Sequence, residues 1–203
     1  MSYVVNDNFC PDVDRVIESA FAAGFDTWRP NKGEVGSSIY DGMGFWGDHA
    51  LMVHSLMRAL NGPVVPNTLY FRATNTDTER AYIHSDRESG SYTCVCYLTE
   101  HEAEYGTAFY QHKRTGLREM PSFRDMRDKD ILDELKADMV SRDPDKWTQL
   151  DFVRGAKNRA LIFDAPLFHS RLPVSGFGDA PKSGRIVWVS HFHKLGPSGE
   201  LVK

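Results

Sequence analysis

Between residues 11 and 60 the apolar positions recur at helical spacing. Val13, Val16, Ile17, Ala20 and Phe21 fall at i, i+3, i+4, i+7 and i+8, one face of an α-helix. Pro11 suits a first turn and Gly24 a stop, so the spacing predicts a helix from Pro11 to about Ala23. Val53, Leu56, Met57 and Leu60 form a second stripe. With Asp48 as its cap and Asn61-Gly62 as its end, it predicts a helix from Asp48 to Leu60. After Asn67 the pattern changes. Runs rich in Val, Ile, Tyr, Phe and Thr predict strands at Thr68–Ala73, Ala81–Asp86, Tyr92–Leu98, Thr107–His112, Arg159–Phe163, His169–Pro173 and Arg185–Phe192. A charged stretch over 113–150 interrupts them. Within it Ile131, Leu132, Leu135, Met139 and Val140 are spaced as a helix that Asp130 would cap.

Helices first, then many strands with one helical insertion, predict a mainly β, α+β fold: a double-sheet jelly roll, or double-stranded β-helix, buttressed by helices. Neither a repeat nor a low-complexity linker divides the chain, so residues 1–203 read as a single domain. Its parts would be a helical support over 8–62, a β-core over about 68–192 and the insertion at 113–150. Composition narrows the function classes. At 41% hydrophobic and 26% charged residues the chain has the balance of a folded domain rather than a disordered one. A net charge of -4 disfavours tight binding to a phosphate backbone. The opening MSYVVNDNFC carries no positive segment followed by an apolar one, and no apolar run approaches the ~20 residues of a membrane span. Three cysteines, Cys10, Cys94 and Cys96, fit reduced thiols in the cytoplasm, the last two as small buried residues on one strand face.

The chemistry-bearing residues begin with His84-Ser85-Asp86. On a strand, residues i and i+2 share a face, so an imidazole and a carboxylate would converge. The pair alone carries little weight. It is followed by Tyr92-Thr-Cys-Val-Cys-Tyr-Leu98, Gly106-Thr-Ala-Phe-Tyr110, Ala160-Leu-Ile-Phe-Asp-Ala-Pro-Leu-Phe-His169 and Gly184-Arg-Ile-Val-Trp-Val-Ser190. In this order the motifs resemble the 2-oxoglutarate/iron(II) dioxygenase superfamily, in particular its prolyl 4-hydroxylase-like branch, over about residues 68 to 192. The resemblance implies Fe(II) on His84, Asp86 and His169, with open coordination positions for 2-oxoglutarate and O2, and ascorbate as a candidate accessory reductant. It implies hydroxylation of an unactivated C–H bond, with decarboxylation of 2-oxoglutarate to succinate. The substrate would be a small molecule or peptide, with a peptidyl or free amino acid favoured.

For the far carboxylate of 2-oxoglutarate, Arg185 is preferred, because a guanidinium fork matches a carboxylate and the family has a basic residue opening the last core strand. Arg171, two residues after His169, is the rival anchor. The family position whose phenol touches the same carboxylate corresponds to Tyr97, and Tyr70 on the preceding strand is within plausible reach. The separation of Arg185 from His169 is wider than the family's usual turn, across a Gly-, Ser- and Pro-bearing loop at 175–184. His191 and His193 read as a solvated strand end, His49 and His54 receive no role, and His101 and His112 read as loop or strand-end residues. The insertion, anchored by Trp147 and Phe152, is a candidate lid. The alternative function is a non-catalytic, cupin-like jelly roll that binds metal or a small ligand.

Overall fold

The structure is a computed structural model and describes residues 2–23, 26–27, 38–40, 46–74, 82–101, 104–122, 128–175, 177–178 and 183–202. The predicted Gly24 stop, the loop at 75–80 and Ala81 lie outside these residues. Two antiparallel sheets face each other. The larger contains β1 (Tyr3–Asn6), β2 (Asp26–Thr27), β3 (Ser38–Tyr40), β4 (Val64–Thr74), β5 (Tyr92–Tyr97), β8 (Arg159–Asp164), β10 (Arg185–Leu195) and β11 (Leu201–Val202). Its order is β1-β8-β5-β10-β4-β3-β2, with β11 paired to the end of β10. The smaller has the order β7-β6-β9, from β6 (Gly106–His112), β7 (Trp147–Arg154) and β9 (His169–Leu172). This is the double-stranded β-helix that the element pattern predicts. No described helix is long and apolar enough to cross a membrane.

Period-two alternation sorts the side chains into two cores. On β5 and β10, Cys94, Cys96, Ile186, Trp188 and Phe192 face outward and are buried under α1 (Val13–Ala23) and α2 (Trp46–Leu60). Val13, Val16, Ala20, Met52 and Leu56 are the helices' contribution, so the two stripes of the sequence do bury one sheet face. The α1 residue Arg15 also stands 3.8 Å from the Asp48 carboxylate on α2. The three cysteines are free and buried. Val95, Tyr97, Leu161, Phe163, Val187 and Val189 face inward and meet Phe109 and Val153 of the small sheet. Each such burial contributes about 1.5–3 kcal/mol. Between the sheets, the inward positions nearest the open end are polar, and they form the site described below.

Several elements depart from the sequence expectation. β4 starts at Val64 and runs through Pro66, which the pattern placed before the strand. Proline lacks a donor, and it is accommodated where the β4–β10 register shifts, between His191 and Phe192. Trp147–Arg154, whose part up to residue 150 the sequence pattern assigns to the end of the insertion, is an outer strand of the small sheet; a bulge opposite Phe109/Tyr110 breaks its alternation. β1 is a four-residue edge strand with Val4 and Val5 exposed, too short to carry a periodic signal. Helix α3 (Lys129–Ser141) is capped by Asp128, not Asp130. Residue 128 has the extended backbone, and its carboxylate accepts from the N–H groups of Asp130 and Ile131. The predicted strand ending at Asp86 reduces, over 82–86, to one antiparallel bridge between His84 and His169. Gly106 has a specific reason: a Cβ there would collide with the carbonyl oxygen of Val153, so only glycine lets β6 and β7 approach this closely.

Candidate metal centre

The single bridge is enough to build the site. His84 N–H donates to the His169 carbonyl (3.0 Å) and His169 N–H to that of His84 (2.9 Å), which sets the two residues directly opposite each other. Their rings lie 4.4 Å apart between centroids. Asp86 is fixed two residues on, where its N–H donates to the Ala165 carbonyl at 2.9 Å. Ligand atoms of His84, Asp86 and His169 thereby all lie within 4.8 Å of one another. His169 is buried; His84 retains 37% side-chain exposure toward the opening, and Asp86 14%.

Hydrogen bonding on the far side of each ring defines what faces the centre. Nδ1 of His84 is 3.0 Å from the Tyr82 carbonyl, and Nδ1 of His169 is 2.9 Å from the Leu167 carbonyl. A carbonyl only accepts, so both Nδ1 atoms carry the proton and both Nε2 atoms point inward. There they meet the Asp86 carboxylate, at 3.6 Å from His84 and 3.3 Å from His169. With the proton on Nδ1, each ring turns Nε2 to the carboxylate, and the space among the three is filled either by a proton on His169 Nε2 or by a divalent cation in its place. The donor set therefore fits a divalent metal, and two imidazoles with one carboxylate suit Fe(II) while leaving positions for other ligands. The electrostatics distinguish the two rings. Burial, then neighbouring His169, push His84 down to about 4, so that ring is neutral and ready to ligate. Burial would raise Asp86, but His169, His191 and His84 outweigh it and hold the carboxyl far below its usual range. Burial opposes charge on His169 too, yet Asp86 wins and its pKa is raised.

His191, which the sequence pattern places at a solvated strand end, lies inside the centre. It is 7% exposed, with Nε2 3.3 Å from Asp86 Oδ2. Its tautomer is opposite to that of the other two rings. Asp86 can only accept, so Nε2 carries the proton and Nδ1 accepts from the Thr68 hydroxyl, 2.5 Å away. Thr93 donates to the same carboxylate oxygen at 2.9 Å. His191 and Thr93 thus converge with His169 on one Asp86 oxygen, Oδ2, and fix its position. The signal that could have found His191 is parity: Arg185, Val187, Val189 and His191 alternate along β10 and all line one cavity. Replacing His191 by Leu is expected to weaken Mn(II) binding by about 10–100-fold, the usual loss when a ligand's hydrogen-bond partner is removed. Calorimetric titration with Mn(II) checks this; an unchanged affinity would remove His191 from the centre.

The cavity, about 120 Å³, is lined by the three residues above and by Tyr70, Arg72, Thr107, Arg171 and Arg185 among others. Both candidate anchors, Arg185 and Arg171, reach it, and Arg72 joins them as a cation that the sequence reading did not single out. Arg185 is 6% exposed and makes no ion pair among the described residues; its guanidinium lies 5.8 Å from the Tyr97 ring centroid. Burial pulls its pKa below the ordinary value. Tyr70 lines the cavity, and burial pushes its phenol up to about 12, so it is a neutral donor. The Tyr97 hydroxyl, expected to touch a bound carboxylate, instead bonds to Thr107 Oγ1 at 2.7 Å behind the wall. Tyr97 is fully buried and backs Arg185, and Thr107 takes the place in the lining.

Three further histidines have structural partners. His49 accepts from the Trp188 indole N–H (3.0 Å), and His193 pairs with the Ser91 hydroxyl (2.9 Å). His112, read as a strand end, is fully buried and lies 2.9 Å from Asp138 on α3. With Glu134 these two make a second metal-like cluster. Each carboxylate already has a cation, Arg114 on Glu134 and Lys146 on Asp138, so this is a charged knot fixing α3 to β6.

Comparison with known proteins places the fold. The non-heme alpha-ketoglutarate-dependent carbocyclase SnoK of nogalamycin biosynthesis superposes with a TM-score of 0.57 at 14% identity, over 99% of this chain and 88% of that one. HygX from Streptomyces hygroscopicus, solved with nickel and 2-oxoglutarate bound, gives 0.55 at 13% identity, over 94% and 82%. HygX with hygromycin B also bound gives 0.55 at 14% over the same shares. At these identities the likeness is one of fold, the jelly roll of 2-oxoglutarate-dependent enzymes. No curated protein matches the chain by sequence. The stretch 70–192, which runs from Tyr70 through the three candidate ligands and Arg185 to just past His191, matches DUF6445, a family of unknown function, and the chain belongs to that family.

Proposed function

We propose that this protein is an Fe(II)- and 2-oxoglutarate-dependent oxygenase. The observation that carries the reading is the joint one: His84, Asp86 and His169 gather within 4.8 Å at a cavity whose wall includes a buried arginine with no acid partner among the described residues. A metal accounts for the three facing acceptors, and a carboxylate ligand accounts for Arg185. Neither feature alone requires the other; one dicarboxylic 2-oxo acid beside one iron satisfies both.

In this reading His84, Asp86 and His169 hold the iron, and His191 and Thr93 keep the Asp86 carboxylate turned toward it. Iron with 2-oxoglutarate and O2 supplies the oxidation of an unactivated C–H bond, coupled to loss of CO2 and formation of succinate. The chain does the positioning. Arg185, packed on Tyr97, holds the far carboxylate through charge-assisted hydrogen bonds, with Tyr70 as a neutral donor and Arg171 or Arg72 as auxiliary cations. The valines Val95, Val187 and Val189 form the dry wall between Arg185 and His191 and limit water at the reacting centre. Ascorbate would serve only to keep the iron reduced. The motif order of the prolyl 4-hydroxylase-like branch supports hydroxylation of an amino-acid side chain, free or peptidyl. The HygX complex, with nickel, 2-oxoglutarate and hygromycin B bound, is an instance of the fold holding a small molecule together with metal and co-substrate.

Anaerobic addition of Fe(II) and 2-oxoglutarate is expected to give a weak visible charge-transfer band, and oxygen is then expected to yield succinate. A jelly roll that binds metal without catalysis would take up Fe(II) but give neither, and that result would overturn the assignment.

A further inference from the structure

A second cavity, about 320 Å³, adjoins the metal centre on the side of α3. Its size falls in the range of small-molecule sites. Tyr82, Tyr110, Trp147, Met139 and Val174 give it a largely apolar, aromatic wall. Two contacts tie it to the centre. Tyr82 lines both cavities, with its ring 5.3 Å from that of His84, and Ser170 in the wall directly follows His169. The wall carries two charged residues, Arg142 and Asp143. The Asp143 carboxylate is committed: it accepts from the Asp145 N–H at 2.9 Å and caps the short 3₁₀ turn Pro144–Lys146. Arg142 is exposed and makes no ion pair among the described residues. Its guanidinium carbon sits 5.6 Å from the Tyr82 ring centroid, so the Tyr82 ring is shared between Arg142 and His84.

The backbone at Arg142 bears on its role. It caps α3 with φ 58°, a left-handed conformation that usually goes to Gly or Asn and strains other residues by roughly 1–2 kcal/mol. An arginine held there, with its head on the cavity's aromatic wall, is a cation presented to whatever fills that cavity.

Building on the oxygenase reading, we propose that the primary substrate occupies this cavity and is a small carboxylic acid with an apolar, ring-bearing body. The carboxylate pairs with Arg142, the body packs on Tyr82, Tyr110 and Trp147, and the far end reaches past Tyr82 and Ser170 toward the iron ligands. This places the anion-binding arginine of the substrate at the C-terminal cap of α3, apart from Arg185 on β10, so the two carboxylates of substrate and co-substrate do not compete. It also gives the inserted segment a function: α3 is one wall of the substrate site.

The test uses three probes of one skeleton, 3-phenylpropionate, 3-phenylpropionamide and 3-phenylpropylamine, with the full-length protein and saturating 2-oxoglutarate to occupy Arg185. Saturation-transfer NMR reads binding without needing metal, and Mn(II)-induced broadening reads proximity to the centre. The acid is expected to bind about tenfold or more tightly than the amide, as loss of a charged hydrogen-bond partner predicts, and the amine more weakly still. In the Arg142→Glu protein the order is expected to invert, a readout that loss of folding would not imitate. With Mn(II) bound, the ring protons of the acid are expected to broaden. Equal binding of acid and amide, an unchanged preference in Arg142→Glu, or absence of binding by all three probes would overturn the proposal. Failure of Mn(II) to bind at all would instead count against the oxygenase reading, and saturation transfer would still decide the role of Arg142.

Discussion

Asp86→Ala is expected to reduce divalent-metal affinity by at least ~100-fold and to abolish succinate formation. The size follows from the arrangement. Asp86 is the only carboxylate among the three ligands, and three imidazoles face it, at 3.3 Å from His169 and His191 and 3.6 Å from His84. Without it two neutral rings remain, and removing a ligand should cost more than the 10–100-fold typical of losing a ligand's hydrogen-bond partner. A second consequence concerns protons. In the metal-free protein the His169 pKa is raised by Asp86, so its contribution to stability is complete below the unfolded value and is lost as pH rises through the folded one. The metal competes with that proton. The thermal stabilisation given by Mn(II) should therefore grow as pH rises through the folded pKa of His169. His84, already neutral above about 4, adds nothing to this dependence over the neutral range. Melting curves with and without Mn(II) across pH 5–8 would measure it; a stabilisation that stays flat with pH would contradict the pairing of His169 with Asp86.

The sequence made the two helices and most of the jelly roll readable because each has an uninterrupted stripe. Val13 to Phe21 and Val53 to Leu60 keep helical spacing, and β5 and β10 read as short, nearly continuous runs of strand-forming residues because both of their faces are buried, one under helices and one against the small sheet. What escaped notice lacks such a stripe. β7 is broken by its bulge, β1 is too short, and Pro66 masks the start of β4. In the site, His84, Asp86 and His169 stood out through motif order. Their meeting depends on one bridge with no strand around it, a tertiary fact that local pattern does not contain. His191 and Arg72 share parity with inward-facing neighbours on β10 and β4, so both were legible in principle. The pairing of His191 and His193 as a His-x-His unit obscured this, since the two rings have different partners: Asp86 and Thr68 for one, Ser91 for the other. At Tyr97 the structure adds a partner that strand parity does not contain: its hydroxyl bonds to Thr107, and Thr107 lines the cavity.

Arg185→Met is expected to move two measurements in opposite directions. Binding of 2-oxoglutarate to the Mn(II)-loaded protein should weaken by about 2–5 kcal/mol, on the order of 30-fold to several-thousand-fold, because a charge-assisted fork is lost from a dry site. The protein without ligand should become more stable. Arg185 is 6% exposed, has no acid partner among the described residues, and burial already depresses its pKa. A buried charge in this state costs several kcal/mol in desolvation, whereas stacking on Tyr97 returns at most about 2 kcal/mol. Desolvation is the larger, so methionine, with similar length and no charge, should raise the melting temperature of the free protein while removing the further rise that 2-oxoglutarate gives the native chain. The pairing of outcomes separates a binding residue from a structural one. If Arg185 merely held the sheets together, the substitution would lower the melting temperature and leave 2-oxoglutarate affinity nearly intact, and the co-substrate anchor would have to be sought at Arg171 or Arg72 instead.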